Sequence, residues 1–266
     1  MPQVKRLALV GGGKLNAIVA KAYADGFLKD YELVGVWSRT WESAEKTAEI
    51  GGCRACRTLE ELLELKPDYV AEAASVQTVR DIVVPVLSAG ADLIALSCGA
   101  FADSELLARA KACAAEHGTK VHIPSGAIGG FDVMQTLTLM AQAGAIQEQV
   151  EFRTQKASHR MKGTPLYDEK LMDEEGEAFS GTASEAIALL PGQTNVTVAA
   201  ALATAGPDHT GVRIVCTPDY VGDDHRITVA FDGYRADLDI YSARSDIAGW
   251  SVVALLRNLA SAISFY

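Results

Sequence analysis

The sequence predicts an α/β protein: an N-terminal Rossmann domain, which is a doubly wound parallel sheet, followed by a second α+β domain with a mainly antiparallel sheet. Three observations support this prediction. Apolar strands alternate with helices through the first half, three glycines directly follow the first strand, and an Asp-Gly pair separates two strand patterns in the second half. The chain closes with an amphipathic helical pattern over residues 247–263, which we expect to return to the first domain.

The first half contains strand and helix patterns in regular alternation. Short apolar runs predict strands at residues 7–10, 33–37, near 54, 69–74, 92–97 and 120–124. Helical periodicity runs from the glycines to about residue 28, and then covers residues 42–50, 59–65, 78–88 and 104–117. Thr58 and Glu61 have the spacing of a capping box for the third helix. Strands this apolar are covered on both faces, which favours a parallel sheet.

The second half changes character. Strand patterns cover residues 149–156, 212–216, 227–231 and 234–241, and helical patterns cover 132–142, 184–190 and 196–205. Asp232 and Gly233 form a strong hairpin signal, which predicts an antiparallel sheet with helices on one side. We expect the acidic stretch 172–176 to be a solvated loop. The Rossmann domain is therefore predicted at residues 1–125 and 245–266, and the α+β domain at 126–244.

The composition limits the classes of partner. The 266 residues are 49% hydrophobic, and 24 basic against 34 acidic residues give a net charge of −10. Binding of nucleic acid requires clustered Lys and Arg, and the chain has no such run. No apolar stretch approaches the roughly 18 residues of a membrane span, and the N-terminus lacks the apolar run of a signal peptide. We expect a cytoplasmic protein that binds neither nucleic acid nor membrane.

The cysteines predict neither a disulfide framework nor a metal site. There are five, an odd number in a chain long enough to fold without staples, which fits a reducing compartment. Cys53 and Cys56 form the only CxxC pair, and no second pair follows at a spacing suited to zinc.

The glycine run predicts a dinucleotide-binding loop. Gly11 can make the tight turn after the strand, and Gly13 lets the backbone approach a pyrophosphate, which then lies at the start of a helix that begins with Lys14 and Leu15. Asn16 occupies the third motif position in place of Gly or Ala, where its side chain either contacts the cofactor or alters the packing of strand and helix. The alternative is a glycine turn with a purely structural role.

The end of the second predicted strand favours NADP over NAD. Ser38, Arg39 and Thr40 stand where a carboxylate would accept the ribose 2′-hydroxyl of NAD. A guanidinium and two hydroxyls suit a 2′-phosphate instead. NAD is kept as a second cofactor, and the alternative for Arg39 is a side chain that faces solvent or stacks on adenine.

Two segments are candidates for the catalytic half. His225 follows an acidic loop, begins a predicted strand and neighbours Asp223 and Asp224, so it could act as a general acid or base near neutral pH. The alternative is a loop histidine paired with a carboxylate. The glycine-rich segment 125–130 follows the last parallel strand, where it either lines a ligand crevice or serves as a hinge.

These motifs together resemble the L-aspartate dehydrogenase family. The resemblance covers nearly the whole chain, and its most specific part is the run Pro-Ser-Gly-Ala-Ile-Gly-Gly at residues 124–130. The matching segments, in order, are the glycine loop, 72–75, 97–100, 122–130, 162–165, Pro191 with 195–196, and 225–227.

The resemblance implies NAD(P)-dependent oxidative deamination of L-aspartate to iminoaspartate, and the reverse reductive amination. It implies that His225 is the catalytic histidine and that Asn195 lines the active site. The candidate cofactor residues are Gly11, Gly13, Lys14, Leu15, Asn16, Ser38, Arg39, Thr40, Ala74, Ser75, Cys98 and Gly99. The candidate donors to the substrate carboxylates are Ser125, Gly126, Ala127, Ile128, Lys156, His159 and Arg160.

Two other functions remain open from the sequence. One is another two-domain dehydrogenase, acting on an imine, a different amino acid or a homoserine-type substrate; the Glu-Lys-Pro motif of sugar dehydrogenases is absent. The other is an NADP-binding sensor without catalytic activity. A homodimer is expected because two-fold assemblies are the commonest oligomers.

Overall fold

The computed structural model describes residues 4–265 and divides into two compact units. One unit contains the residues up to Gly126 together with Asp246–Phe265, and the other contains Ala127–Ser245. The boundaries predicted from the sequence, after residues 125 and 244, each differ from these by one residue. Over the described range, no helix combines the length and the apolar character needed to cross a membrane.

The first unit is built on a six-stranded parallel sheet with the order β3-β2-β1-β4-β5-β6. This is the predicted doubly wound fold. Its strands are β1 (Lys5–Val10), β2 (Tyr31–Trp37), β3 (Arg54–Cys56), β4 (Tyr69–Glu72), β5 (Asp92–Ala95) and β6 (Val121–His122). Its helices are α1 (Lys14–Ala24), α2 (Trp41–Gly51), α3 (Leu59–Leu63), α4 (Val76–Ser88), α5 (Ser104–His117) and, from the end of the chain, α9 (Asp246–Ala260).

The helix ends in this unit follow local rules, and several differ from the predicted bounds; two differences have a clear local cause. Gly26, at φ 82°, belongs to the turn that ends α1 at Ala24, four residues before the predicted end. The Thr58 hydroxyl caps α3 as expected, because it accepts from the Glu61 amide at 3.2 Å. The reciprocal bond of a capping box is displaced by one residue, since the Glu61 carboxylate accepts from the amide of Arg57 at 2.8 Å.

The C-terminal helix α9 packs against α1, which confirms the predicted return to the first domain. Val252 and Leu256 of α9 are fully buried in the core of the Rossmann unit. Gly249 allows the close approach, because a Cβ at this position would lie 3.0 Å from the Leu15 carbonyl oxygen. The Tyr31 hydroxyl donates to the Leu256 carbonyl at 2.6 Å, so β2 also holds the helix.

The second unit has a five-stranded sheet with the order β11-β10-β7-β9-β8. Three neighbouring pairs are antiparallel and β7 with β9 is parallel, so the sheet is mainly antiparallel as predicted. The strands are β7 (Gln149–Ala157), β8 (Gly176–Thr182), β9 (Thr210–Thr217), β10 (Asp223–Phe231) and β11 (Tyr234–Ser242). The helices are α6 (Phe131–Ala143), α7 (Ala183–Leu189) and α8 (Asn195–Leu202).

In this unit the sequence patterns predicted the hairpin correctly and missed one strand. Asp232 and Gly233 connect β10 to β11 with φ values of 37° and 83°, as expected for a two-residue turn whose residues both have positive φ. Strand β8 was not predicted. It lies at the sheet edge, contains two glycines, and has a register shift between Glu177 and Phe179, so it lacks the apolar alternation of a typical strand.

Candidate active site

The glycine run at residues 11–13 forms a loop whose first two positions have no room for a side chain. Gly11 has φ 97°, and a Cβ there would lie 2.7 Å from the Ala73 carbonyl oxygen. A Cβ at Gly12 would lie 2.2 Å from the carbonyl oxygen of Ser43, at the start of α2. The first two glycines therefore pack the loop against its neighbours after β4 and in α2.

Gly13 has a different environment, because nothing lies within 4 Å of the position of its Cβ. It is the N-cap residue of α1, and no side chain caps this helix end. The amide groups of the first turn of α1 and the positive end of its dipole are therefore available for an anion.

A cavity of about 230 Å³ opens beside this loop at the carboxyl end of the sheet. Six of the predicted cofactor residues line it, namely Gly11, Gly13, Ser38, Arg39, Thr40 and Ala74. None of its lining residues is acidic. The Arg39 side chain is exposed and forms no ion pair or hydrogen bond within residues 4–265. The loop, the uncapped helix and the unpaired guanidinium fit a dinucleotide with an extra phosphate.

Three predicted cofactor residues at the start of α1 do not line this cavity. The Lys14 ammonium pairs with the Asp246 carboxylate, and Leu15 is half-buried beside α9. Asn16 is fully buried, and its Nδ2 donates to the carbonyls of Val10 and Gly11 at 2.8 Å each. Its amide holds the end of β1 in place, so of the two roles expected for Asn16 the structure favours packing.

Glu72 is a functional candidate that the sequence reasoning did not single out. Its fully buried carboxylate accepts from the amides of Ala74 at 2.7 Å, Ser75 at 3.0 Å and Ser97 at 3.0 Å. Burial raises the pKa of Glu72, and the backbone donors oppose that rise. The signal in the sequence is an acidic residue at the end of an otherwise apolar strand.

Glu72 thereby joins the loops that follow β4 and β5. Ser75 also caps α4, since its hydroxyl accepts from the Thr78 amide at 3.1 Å. The predicted residues Cys98 and Gly99 lie in the next loop, in a short 3₁₀ turn, and both are buried.

In the second unit, His225 lies on the covered face of the sheet. It is the third residue of β10, inside the strand, so the prediction that it follows the loop and starts the strand is corrected. The residue is 6% exposed, and its ring stacks on Phe152 with centroids 5.7 Å apart. The pKa of His225 is lowered to about 4, chiefly because the ring is buried; the Asp223 carboxylate opposes this shift, and the cations of Lys156 and Arg160 add to it.

The two ring nitrogens of His225 differ in access. Nδ1 is buried and has no hydrogen-bond partner in the described part of the chain. Nε2 is not among the fully buried atoms and forms no hydrogen bond within residues 4–265, so it is the ring nitrogen that a ligand can reach. A neutral imidazole with an open Nε2 can accept a proton there, provided that Nδ1 carries the hydrogen.

Neither neighbouring carboxylate orients the imidazole. Asp223 shares the face of His225, but it accepts a hydrogen bond from Nη1 of Arg160 at 2.5 Å. Asp224 lies on the opposite face because successive strand residues alternate, and burial beside Asp239 raises its pKa. The alternative interpretation, a histidine paired with an adjacent carboxylate, is therefore not borne out at Nδ1.

The basic residues that are candidates for binding the substrate carboxylates differ in burial. Lys156 is 8% exposed. It is a diagonal neighbour of His225 across β7 and β10, because its own cross-strand partner is Asp223, two residues before His225. Burial lowers the pKa of the Lys156 amine, and its ammonium group forms no hydrogen bond or ion pair with the residues that the structure describes. His159 and Arg160 are exposed in the 3₁₀ turn after β7.

The remaining candidates for the substrate site are divided between the two units. Ser125 and Gly126 end the first unit, where the Gly126 amide donates to the Ser251 hydroxyl at 3.0 Å. Ala127 and Ile128 begin the second unit, and the Ile128 side chain is buried. Asn195 is half-buried as the first residue of α8.

Two protein families match the chain, one in each half. The family described as "Aspartate dehydrogenase, C-terminal" matches residues 137–259, and "Homoserine dehydrogenase, NAD binding domain" matches residues 9–124. Among individual relatives, an L-aspartate dehydrogenase of Methanococcus maripaludis is 32% identical, covering 97% of this chain and 98% of that protein. One of Methanocella arvoryzae is 31% identical, covering 96% of each.

Two solved structures that match the chain are dehydrogenases. The aspartate dehydrogenase of Thermotoga maritima matches with a TM-score of 0.74 at 22% identity, covering 98% of this chain and 99% of that one. The apo scyllo-inositol dehydrogenase of Lactobacillus casei matches with a TM-score of 0.57 at 13% identity, covering 96% and 86%. At these identities the likeness shows the fold.

Proposed function

The chain belongs to the L-aspartate dehydrogenase family and is an NAD(P)-dependent oxidoreductase, and we propose that it oxidises L-aspartate to iminoaspartate, which hydrolyses to oxaloacetate and ammonia. The same active site would run the reductive amination in reverse. The observation that carries the proposed chemistry is His225, a buried neutral imidazole with one accessible nitrogen.

The glycine loop of the first unit is proposed to hold the cofactor. The Gly13 backbone and the first amides of α1 would bind the pyrophosphate, and Arg39 would bind the 2′-phosphate of NADP. The chemistry that the nicotinamide supplies when bound is acceptance of a hydride from the substrate α-carbon. We expect NADP to be preferred because no carboxylate competes for Arg39 or repels the phosphate, while NAD remains a second cofactor.

His225 is proposed to remove the proton that the substrate amine must lose before hydride transfer. A base in its neutral form is required at this step, and His225 without substrate is neutral because burial lowers its pKa; the carboxylates of a bound dicarboxylate would raise that pKa and strengthen the base. In the reverse direction, after hydride addition to the iminium, the same nitrogen would return the proton to the newly formed amine. Asn195 is proposed to line the same active site.

Lys156 is the strongest candidate for binding a substrate carboxylate. It is the buried cation beside His225, and a dicarboxylate would restore the charge partner that its ammonium lacks. His159 and Arg160 are exposed, so a second carboxylate could reach them. The Ser125, Gly126, Ala127 and Ile128 segment would contribute backbone amides.

An absorbance assay that follows the reduced cofactor tests the proposal directly. Protein is mixed with NADP⁺ or NAD⁺ and with L-aspartate, L-glutamate, L-homoserine or myo-inositol, and formation of reduced cofactor is followed. Turnover with L-aspartate well above the others supports the proposal. Turnover restricted to another substrate would indicate a different two-domain dehydrogenase, and cofactor binding without turnover on any substrate would indicate a sensor. The homodimer and the cytoplasmic location stay predictions.

A further inference from the structure

Two buried polar atoms in the second unit belong to residues paired across two strands, and neither atom has a hydrogen-bond partner in the described part of the chain. In the antiparallel ladder of β7 and β10, His225 is the cross-strand partner of Thr154. Nδ1 of His225 and the hydroxyl oxygen of Thr154 are both buried, and neither has a hydrogen-bond partner among residues 4–265. Thr154 itself is 3% exposed.

The register explains why these two groups are close. Directly opposite residues on an antiparallel pair have Cβ atoms about 4.5–5.5 Å apart, with side chains on the same face. Phe152, two residues before Thr154 on β7, stacks on the imidazole and restricts its tilt. Formation of a hydrogen bond between the hydroxyl and Nδ1 requires a rotation of the Thr154 side chain, because the stack on Phe152 restrains the imidazole.

The other polar groups near the imidazole are less suited to this role. The Asp223 carboxylate is bound to Arg160, and Asp224 lies on the opposite face of the sheet. Lys156 carries donors only, so it cannot accept a hydrogen from Nδ1. The Ser158 hydroxyl is also buried without a partner, but it follows the end of β7 and has no register position opposite His225.

We propose that Thr154 is a positioning residue for His225: its hydroxyl oxygen accepts a hydrogen bond from Nδ1–H and thereby keeps the lone pair on the accessible Nε2. The proposal rests on the proposed role of His225 as proton acceptor. A histidine base requires this tautomer, and the partner of the other nitrogen selects it. In this protein a neutral hydroxyl takes the place that a carboxylate holds in many catalytic histidine pairs.

The experiment compares Thr154→Val with Thr154→Ser in the full-length protein. Long-range ¹H–¹⁵N correlation spectra of the imidazoles, assigned with His225→Gln, report which nitrogen of His225 carries the hydrogen. We expect protonated Nδ1 in the wild type and in Thr154→Ser, and a shift of the hydrogen to Nε2 in Thr154→Val. Turnover of L-aspartate should fall about 10–100-fold in Thr154→Val, with dinucleotide affinity unchanged, and should recover in Thr154→Ser.

Ser158→Ala is the matched control, because it removes another buried unpaired hydroxyl of the same unit and should leave the tautomer of His225 unchanged. A wild-type tautomer in Thr154→Val would overturn the proposal, including the case in which that variant only loses thermal stability. The spectra need no substrate. Absence of L-aspartate turnover in the wild type would therefore count against the proposed function, while the tautomer would still decide the role of Thr154.

Discussion

The guanidinium of Arg160 donates to the carboxylate of Asp223 at 2.5 Å, across 63 positions of the chain. This ion pair engages the one carboxylate that shares the covered face of the sheet with His225 on β10. Burial and the cations of Lys156 and Arg160 lower the pKa of the histidine, and Asp223, although it is paired with Arg160, only partly opposes them. Its low pKa is a property of this cluster rather than of the local sequence.

Arg160→Ala should raise the pKa of His225 above its present value of about 4. The change removes a cation that lowers this pKa and releases Asp223, which raises it. NMR titration of the His225 imidazole measures the shift. Arg226→Ala is the control, because Arg226 neighbours His225 on β10 but faces the other side of the sheet, where it pairs with Asp237. An unchanged titration in Arg160→Ala would contradict the described ion pair.

Burial of His225 should make the protein less stable in mild acid. The unfolded chain binds a proton at this side chain near pH 6.5, whereas the folded protein binds it only at about pH 4, so unfolding takes up a proton between these values. The stabilising contribution is present above pH 6.5 and is lost as the pH falls towards 4. Urea unfolding of wild type and His225→Gln, referenced at about pH 8, should diverge by up to roughly 3 kcal/mol at pH 4. Parallel pH profiles for the two proteins would argue against a depressed pKa.

His225→Ala should lower turnover by about 10²–10⁴ and leave the affinity for NADP nearly unchanged. The variant removes the proposed proton acceptor, whereas the glycine loop that is proposed to bind the dinucleotide belongs to the other unit. Steady-state rates and cofactor titration separate the two effects. His117→Ala, at the end of α5 in the Rossmann unit, is the control and should retain wild-type rates. Ordinary activity of His225→Ala would remove this residue from the mechanism.

Arg39→Ala should weaken NADP binding by about 10-fold or more and change NAD binding little. The guanidinium has no protein partner in the described structure, so its loss should affect mainly a ligand that carries the 2′-phosphate. Fluorescence or calorimetric titration with both dinucleotides measures the difference. Arg80→Ala is the control, since Arg80 is paired with Asp103 on the same unit. Equal weakening of both cofactors would defeat the assignment of Arg39 to the phosphate.

Gly13→Ala and Gly11→Ala should have opposite effects on folding and binding. The Gly13 position is open and has an ordinary negative φ of −84°, so alanine should fold normally while its methyl group enters the cavity and weakens dinucleotide binding by roughly tenfold. Gly11 has φ 97° and no room for a Cβ, so alanine there should lower the thermal midpoint. Thermal unfolding and cofactor titration of both variants check this. A Gly13→Ala protein with full affinity would show that the backbone there does not approach the ligand.

The accuracy of the sequence predictions depended on how local the responsible interactions are. The parallel sheet, the glycine loop and the Asp232-Gly233 hairpin follow from periodicity and turn chemistry within a few residues, and they were predicted correctly. Strand β8 was missed because an edge strand with glycines and a register shift has little apolar alternation. The role of Glu72 was missed because its three amide donors lie on two loops that meet only in the folded sheet.

The amino-acid order by itself determined the two-domain α/β architecture, the family and the position of His225 as a candidate base, because these depend on short-range patterns and motif order. Only the tertiary structure decided the environment of that histidine. Strand pairing puts Thr154 opposite it, packing buries it, and Arg160 forms an ion pair with the neighbouring Asp223. Burial and cross-strand contacts join segments about seventy residues apart in this sheet, and no local pattern encodes which of them will meet.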